Sequence, residues 1–234
     1  MEMDTKERIV IALDFDSAAE SLSLVERLRG RVGLFKVGSQ LFAAEGPSVV
    51  NKIVDMGERV FLDLKLHDIP NTAAKAATAA QAMGVSMLTV HASGGLPMMS
   101  AVATALKSLP NKPKLPLVLA VTVLTSLGQS DLNQLGVTGN LTEQVVRLAH
   151  LATDAGLDGL VASPAEVSLL RHHFPSLLLV TPGIRPLGSA LNDQSRIATP
   201  RDALKAGANY LVIGRPITAS LDPLRSLNWI LKTI

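Results

Sequence analysis

The chain has 234 residues, 47% hydrophobic and 18% charged, with a formal net charge of +2 from 22 basic and 20 acidic side chains. That length and apolar content suit one large core, while near charge balance, 3% aromatics and the lack of any Lys/Arg run exclude a nucleic-acid polymer as the expected partner. The absence of cysteine excludes disulfides, thiol catalysis and zinc-thiolate sites. The opening stretch, Met1 to Arg8, is charged and lacks the apolar centre of a signal peptide, so a soluble cytoplasmic protein is expected.

Eight short apolar runs follow in order: Ile9–Phe15, Leu34–Gly38, Arg59–Leu66, Met87–Ala92, Leu117–Val123, Gly159–Ser163, Leu178–Thr181 and Tyr210–Gly214. Most are continuous and rich in Val, Ile and Leu, as parallel strands covered on both faces are. Between and after them lie Ala/Leu-rich stretches with helical spacing: Ala18–Leu28, Pro47–Met56, Asn71–Met83, Pro97–Leu106, Thr142–Ala155, Ala165–Phe174, Pro200–Ala206 and Pro223–Leu231. Gly57, Gly84, Gly156 and Gly207 each follow a predicted helix and precede a strand, the place for a left-handed residue that ends a helix. Ala76 to Leu106 contains no Asp, Glu, Lys or Arg, but Gln81, Gly84, His91 and Gly94-Gly95-Leu96-Pro97 break it into helix, strand and helix rather than a membrane span. With no linker or composition shift, the expected fold is α/β, a single-domain (β/α)8 TIM barrel spanning residues 1–234. A doubly wound open sheet would usually carry a glycine-rich turn after an early strand, and Leu13-Asp14-Phe15-Asp16-Ser17 is not one.

In such a barrel the site forms beyond the C-terminal strand ends, and polar residues concentrate there. The first strand leads to Asp14 and Asp16, the second carries Lys36, and the third carries Asp63 and Lys65 with Asp68 just beyond. Strand alternation puts Phe61, Asp63 and Lys65 on one face and Leu62, Leu64 and Leu66 on the other. Two readings stand for each charge. Asp63 and Lys65 could close a strand end as a salt bridge, Asp68 and Asp14 could cap helices, and Lys36 could belong to a structural ion pair. His91 reads as a rim or interface histidine, Thr125 and Ser126 as active or as turn residues, and Gly94-Gly95 as a turn. The seventh and eighth strands end at Pro182-Gly183-Ile184-Arg185 and Gly214-Arg215, where two arginines and glycine-freed amides suit a phosphate.

Together these segments resemble the orotidine 5′-phosphate decarboxylase family, in its bacterial branch. The resemblance rests on Asp63-Leu64-Lys65-Leu66-His67-Asp68-Ile69-Pro70-Asn71-Thr72, Pro182-Gly183-Ile184-Arg185 and Ile213-Gly214-Arg215-Pro216-Ile217, and runs from Ile11-Ala12-Leu13-Asp14 almost to the C-terminus. It implies cofactor-independent conversion of orotidine 5′-phosphate to UMP in pyrimidine biosynthesis, with no metal. Lys65 would protonate C6 of the pyrimidine, Asp63 would lie beside the departing carboxylate, and Asp14 and Lys36 would hold ribose hydroxyls. Thr125 would contact the pyrimidine, and Arg185, Gln194, Gly214 and Arg215 the phosphate. Asp68 and Thr72 would serve the neighbouring subunit's site, which implies a homodimer with shared active sites. The Asp63-x-Lys65-x-x-Asp68 spacing alone is also shared with metal-dependent hexulose-phosphate enzymes on the same barrel, and a non-catalytic phosphate-binding barrel is the other rival.

Overall fold

The structure, a computed structural model, describes residues 4–109, 115–186 and 198–234. Eight parallel strands pair in sequence order and close on themselves: β1 (Ile9–Ala12), β2 (Leu34–Gly38), β3 (Val60–Leu66), β4 (Met87–His91), β5 (Leu117–Val121), β6 (Gly159–Val161), β7 (Leu178–Thr181) and β8 (Tyr210–Ile213). The predicted (β/α)8 barrel is the fold. The strands sit where the apolar runs placed them; several end earlier, because the backbone leaves the ladder as it enters the rim loops.

The helices are α1 (Ala18–Leu28), α2 (Ser39–Glu45), α3 (Pro47–Asp55), α4 (Pro70–Ala82), α5 (Gly95–Lys107), α6 (Gln129–Gln134), α7 (Leu141–Asp154), α8 (Val167–His173), α9 (Pro200–Ala206), α10 (Arg215–Thr218) and α11 (Pro223–Lys232). Of these, α2, α6 and α10 were not expected. All three are short and lie in loops that follow strands. The four helix-ending glycines have the left-handed backbone expected of them, with φ of 83° at Gly57, 78° at Gly84, 71° at Gly156 and 110° at Gly207. The charge-free stretch from Ala76 to Leu106 is the end of α4, then β4, then most of α5, and no helix among the described residues is long and apolar enough to cross a membrane.

Alternation along each strand builds two apolar layers. Val10, Ala12, Leu34, Phe61, Met87, Leu119, Val180, Tyr210 and Val212 fill the barrel interior. Ile9, Ile11, Phe35, Val37, Leu62, Leu88, Val90, Leu160 and Leu211 point outward and pack against the helices. At the N-terminal end of the strands, the short helical turn Thr5–Arg8 leads into β1, and Arg59 pairs with Glu7 and donates from Nε to Gly33 O at 2.8 Å. The interior is packed, and the cavity lies at the opposite end.

Candidate active site

A cavity of ≈ 490 Å³ opens at the C-terminal end of the barrel. Pockets for small ligands commonly run from about 300 to 1,000 Å³. Of the residues proposed from the sequence, Asp14, Lys36, Asp63, Lys65, Thr125, Arg185, Gly214 and Arg215 all line it. Asp68 and Thr72 do not. Both are exposed at the start of α4, outside their own chain's cavity. Gln194 lies outside the described residues.

The charges form one alternating row. Lys36 Nζ donates to Asp14 Oδ1 at 3.1 Å and stands 3.8 Å from Asp63 Oδ2, while Lys65 Nζ donates to the same Asp63 oxygen at 3.0 Å. This pattern meets the cost of holding charges in a partly enclosed place, since each has an opposite neighbour. The alternative reading of Asp14 as a helix cap is removed, because Ser17 caps α1 and accepts from Glu20 N. Asp68 instead accepts the N–H of Ile69 at 2.7 Å, in the turn before α4. Gly38 makes room for this row, since a Cβ there would stand 3.0 Å from Lys36 Nζ.

The strand that carries the row is irregular. Phe61 pairs with Met87 and Leu62 with Leu88, but the next pair is Leu66 with Val90, so β3 spends four residues where β4 spends two. Lys65 lies in this bulge with φ of 52°, the only described non-glycine residue in the left-handed region. Bulges re-aim side chains at active sites. Opposite it, Thr89 is fully buried on β4. Its Oγ1 accepts the Lys65 N–H at 2.8 Å and donates to Asp63 Oδ1 at 3.0 Å.

The other end of the cavity is cationic. Gly183, with φ of 77°, permits the turn after β7, and Arg185 N then bonds to Ala198 O at 2.9 Å. The Arg185 side chain is 7% exposed, donates from Nη1 to Ile184 O, and has no hydrogen-bond partner for Nε among the described residues. Burial, and then the nearby Arg215 guanidinium, push the Arg185 pKa down from its ordinary value. Two arginines crowd each other here, and a buried donor is left open. Such a place suits an anion with several acceptor oxygens.

Comparison with known proteins identifies the family. A model described as "Orotidine 5'-phosphate decarboxylase / HUMPS family" matches residues 7–230. The chain belongs to that family. It is 52% identical over 229 residues to a protein of Idiomarina loihiensis named orotidine 5′-phosphate decarboxylase, covering 97% of each chain. A protein of the same name from Nitrosococcus oceani is 51% identical over 223 residues, with 95% of each chain covered. Among solved structures, orotidine 5′-phosphate decarboxylase of Lactobacillus acidophilus superposes with a TM-score of 0.85 at 37% identity, covering 96% of this chain and 97% of that one.

The family's barrel here holds further residues that sequence reasoning did not single out. Gln40 lines the cavity from α2 and is held by its Nε2 donating to Asp16 Oδ1 at 2.7 Å. Its signal was its position two residues past Gly38, at a strand end. Thr89 had a fainter one, a hydroxyl inside an otherwise apolar strand. His91 stays off the cavity, as read from sequence. It stacks on His67 with centroids 5.4 Å apart and its Nδ1 lies 2.6 Å from Ser93 Oγ. Gly94 and Gly95 form the turn into α5. No group of three or more His, Asp or Glu side chains placed to hold a metal ion occurs among the described residues.

Proposed function

We propose that this chain decarboxylates orotidine 5′-phosphate to UMP, the pyrimidine-biosynthetic reaction named for its relatives. The observation that carries this reading is the Asp14–Lys36–Asp63–Lys65 row sharing one cavity with the Arg185–Arg215 pair. The arginines take the phosphate, and Asp14 and Lys36 hold the ribose hydroxyls, with the pyrimidine laid toward Asp63, Lys65 and Thr125. In the reaction, C6 gives up its carboxylate as CO2 and keeps the bonding electron pair. No carbonyl is placed to take that pair up as an enolate. The Lys65 ammonium stabilises the developing anion by its fixed charge and then transfers one proton to C6. Preorganisation matters here because Lys65 is already tied to Asp63 before the substrate arrives. Asp63 faces the departing carboxylate, so loss of CO2 removes a like-charge contact.

Grip on the phosphate lies away from the reacting carbon. Its binding energy holds the substrate against the charge row and raises turnover as well as affinity. Gln194 joins that grip in this reading. Asp68 and Thr72, exposed and off their own cavity, complete the partner's site in a homodimer. We further propose that the reaction runs without metal or organic cofactor, in the cytoplasm.

The test is an absorbance assay of orotidine 5′-phosphate with and without a chelator. UMP should form at the same rate in both. No UMP, or activity abolished by the chelator, would overturn the reading. Lys65→Ala should lower turnover by about a thousand-fold or more while UMP still binds, and unchanged turnover would remove Lys65 from the chemistry.

A further inference from the structure

Two extra residues in β3 take the Asp63–Lys65 segment out of the ladder with β4. A backbone N–H lifted from its ladder must find another acceptor when it is buried or half-buried. Lys65 N finds the Thr89 hydroxyl at 2.8 Å, and the proton of that hydroxyl goes to Asp63 Oδ1 at 3.0 Å. One buried oxygen therefore fixes two things at once: the left-handed backbone of the residue with the ammonium, and the orientation of the carboxylate it pairs with. Asp63 Oδ2 is then left to face Lys65 Nζ and Lys36 Nζ. Threonine suits the task, since its branched Cβ restricts χ1 in a strand and its hydroxyl can accept and donate together. A Val of the same shape would fill the space and do neither.

We propose that Thr89 is a positioning residue for the reaction, acting through Lys65 and Asp63 rather than by touching substrate. The inference rests on the proposed chemistry of Lys65 and deepens it. Without the hydroxyl, the bulge loses its side-chain bracket and the ammonium moves off line, and a misplacement of even about 1 Å costs rate more than binding.

The test is Thr89→Val beside Thr89→Ser, with kcat, KM, UMP affinity and Tm measured on each. In Thr89→Val, kcat should fall about 10- to 100-fold, while KM and UMP affinity stay within about threefold, because the phosphate grip is untouched. Thr89→Ser, which keeps the oxygen, should return kcat to within about threefold of the parent. A Thr89→Val enzyme with parental kcat would overturn the proposal. So would a Thr89→Val enzyme whose Tm, KM and kcat all worsen together with no recovery in Thr89→Ser, the mark of a purely structural threonine. Failure of the underlying reading shows separately, as a parent protein that makes no UMP or a Lys65→Ala variant with unchanged turnover.

Discussion

Asp63 uses both its oxygens: Oδ1 accepts from Thr89, while Oδ2 accepts from Lys65 and lies 3.8 Å from Lys36. Removing either inner group of the row leaves an end charge uncompensated, Asp14 without Lys36 or Lys65 without Asp63, so substitutions there report chemistry and electrostatics together. Arg215 gives a cleaner measurement because its contribution can be read against a ligand lacking the phosphate. Arg215→Ala should weaken orotidine 5′-phosphate by about 10- to 100-fold and leave orotidine nearly unaffected. Competition binding with both ligands checks this, and equal losses would take Arg215 out of the phosphate grip. Most of these residues were legible because they are charged side chains at the ends of apolar strands, where a charge has no structural excuse unless it is paired or used. Thr89 was not legible in that way. A threonine is an ordinary strand former, and only the register of β3 against β4 reveals that its hydroxyl faces a broken ladder.

At the scale of elements, periodicity carried the reading. The long helices showed themselves through helical spacing and, for several, a glycine at the end. In α7, Asn140 Oδ1 accepts Glu143 N at 2.8 Å and Glu143 Oε2 accepts Asn140 N at 3.0 Å, a reciprocal box at the start of a helix that buries Val145, Leu148, Ala149 and Ala152. Asn140→Ala should therefore cost about 1 kcal/mol of stability in urea unfolding and leave kcat unchanged; a change in kcat would tie α7 to the site. The helices that escaped notice, α2, α6 and α10, have four to seven residues. Segments this short show little of a stripe; α9, also of seven residues, is marked by Gly207 at its end, whereas neither α2 nor α10 has a side-chain hydrogen bond at its cap to announce it. The bulge in β3 was hidden for a different reason. Asp63-x-Lys65 alternates as a regular strand does, and its left-handed residue is a lysine rather than the glycine that would have flagged it.

At the scale of the molecule, the barrel explains why distant segments meet. Strand order in space repeats strand order in sequence, so eight loops converge on one rim whatever their individual sequences. Asp68 and Thr72, which stand outside their own chain's cavity, are where the proposed dimer can be tested. Lys65→Ala and Asp68→Ala proteins, each nearly inactive, should regain activity when mixed and allowed to exchange subunits, since a heterodimer would then hold one intact site. Verified heterodimers without recovered activity would assign Asp68 to its own chain. The φ of 52° at Lys65 also bears on the whole fold. A left-handed backbone costs a residue with a Cβ roughly 1–2 kcal/mol, which glycine avoids at the expense of a floppier unfolded chain. Lys65→Gly should accordingly be more stable than Lys65→Ala, on the order of 1 kcal/mol by urea midpoint, although neither has an ammonium to offer; equal midpoints would mean that the bulge is relaxed. Improvement of the fold by stability alone would then erode this position toward glycine. The lysine sits at odds with its own backbone, so thermostabilised versions of this barrel should be sought in its helices, with the third strand left as it is.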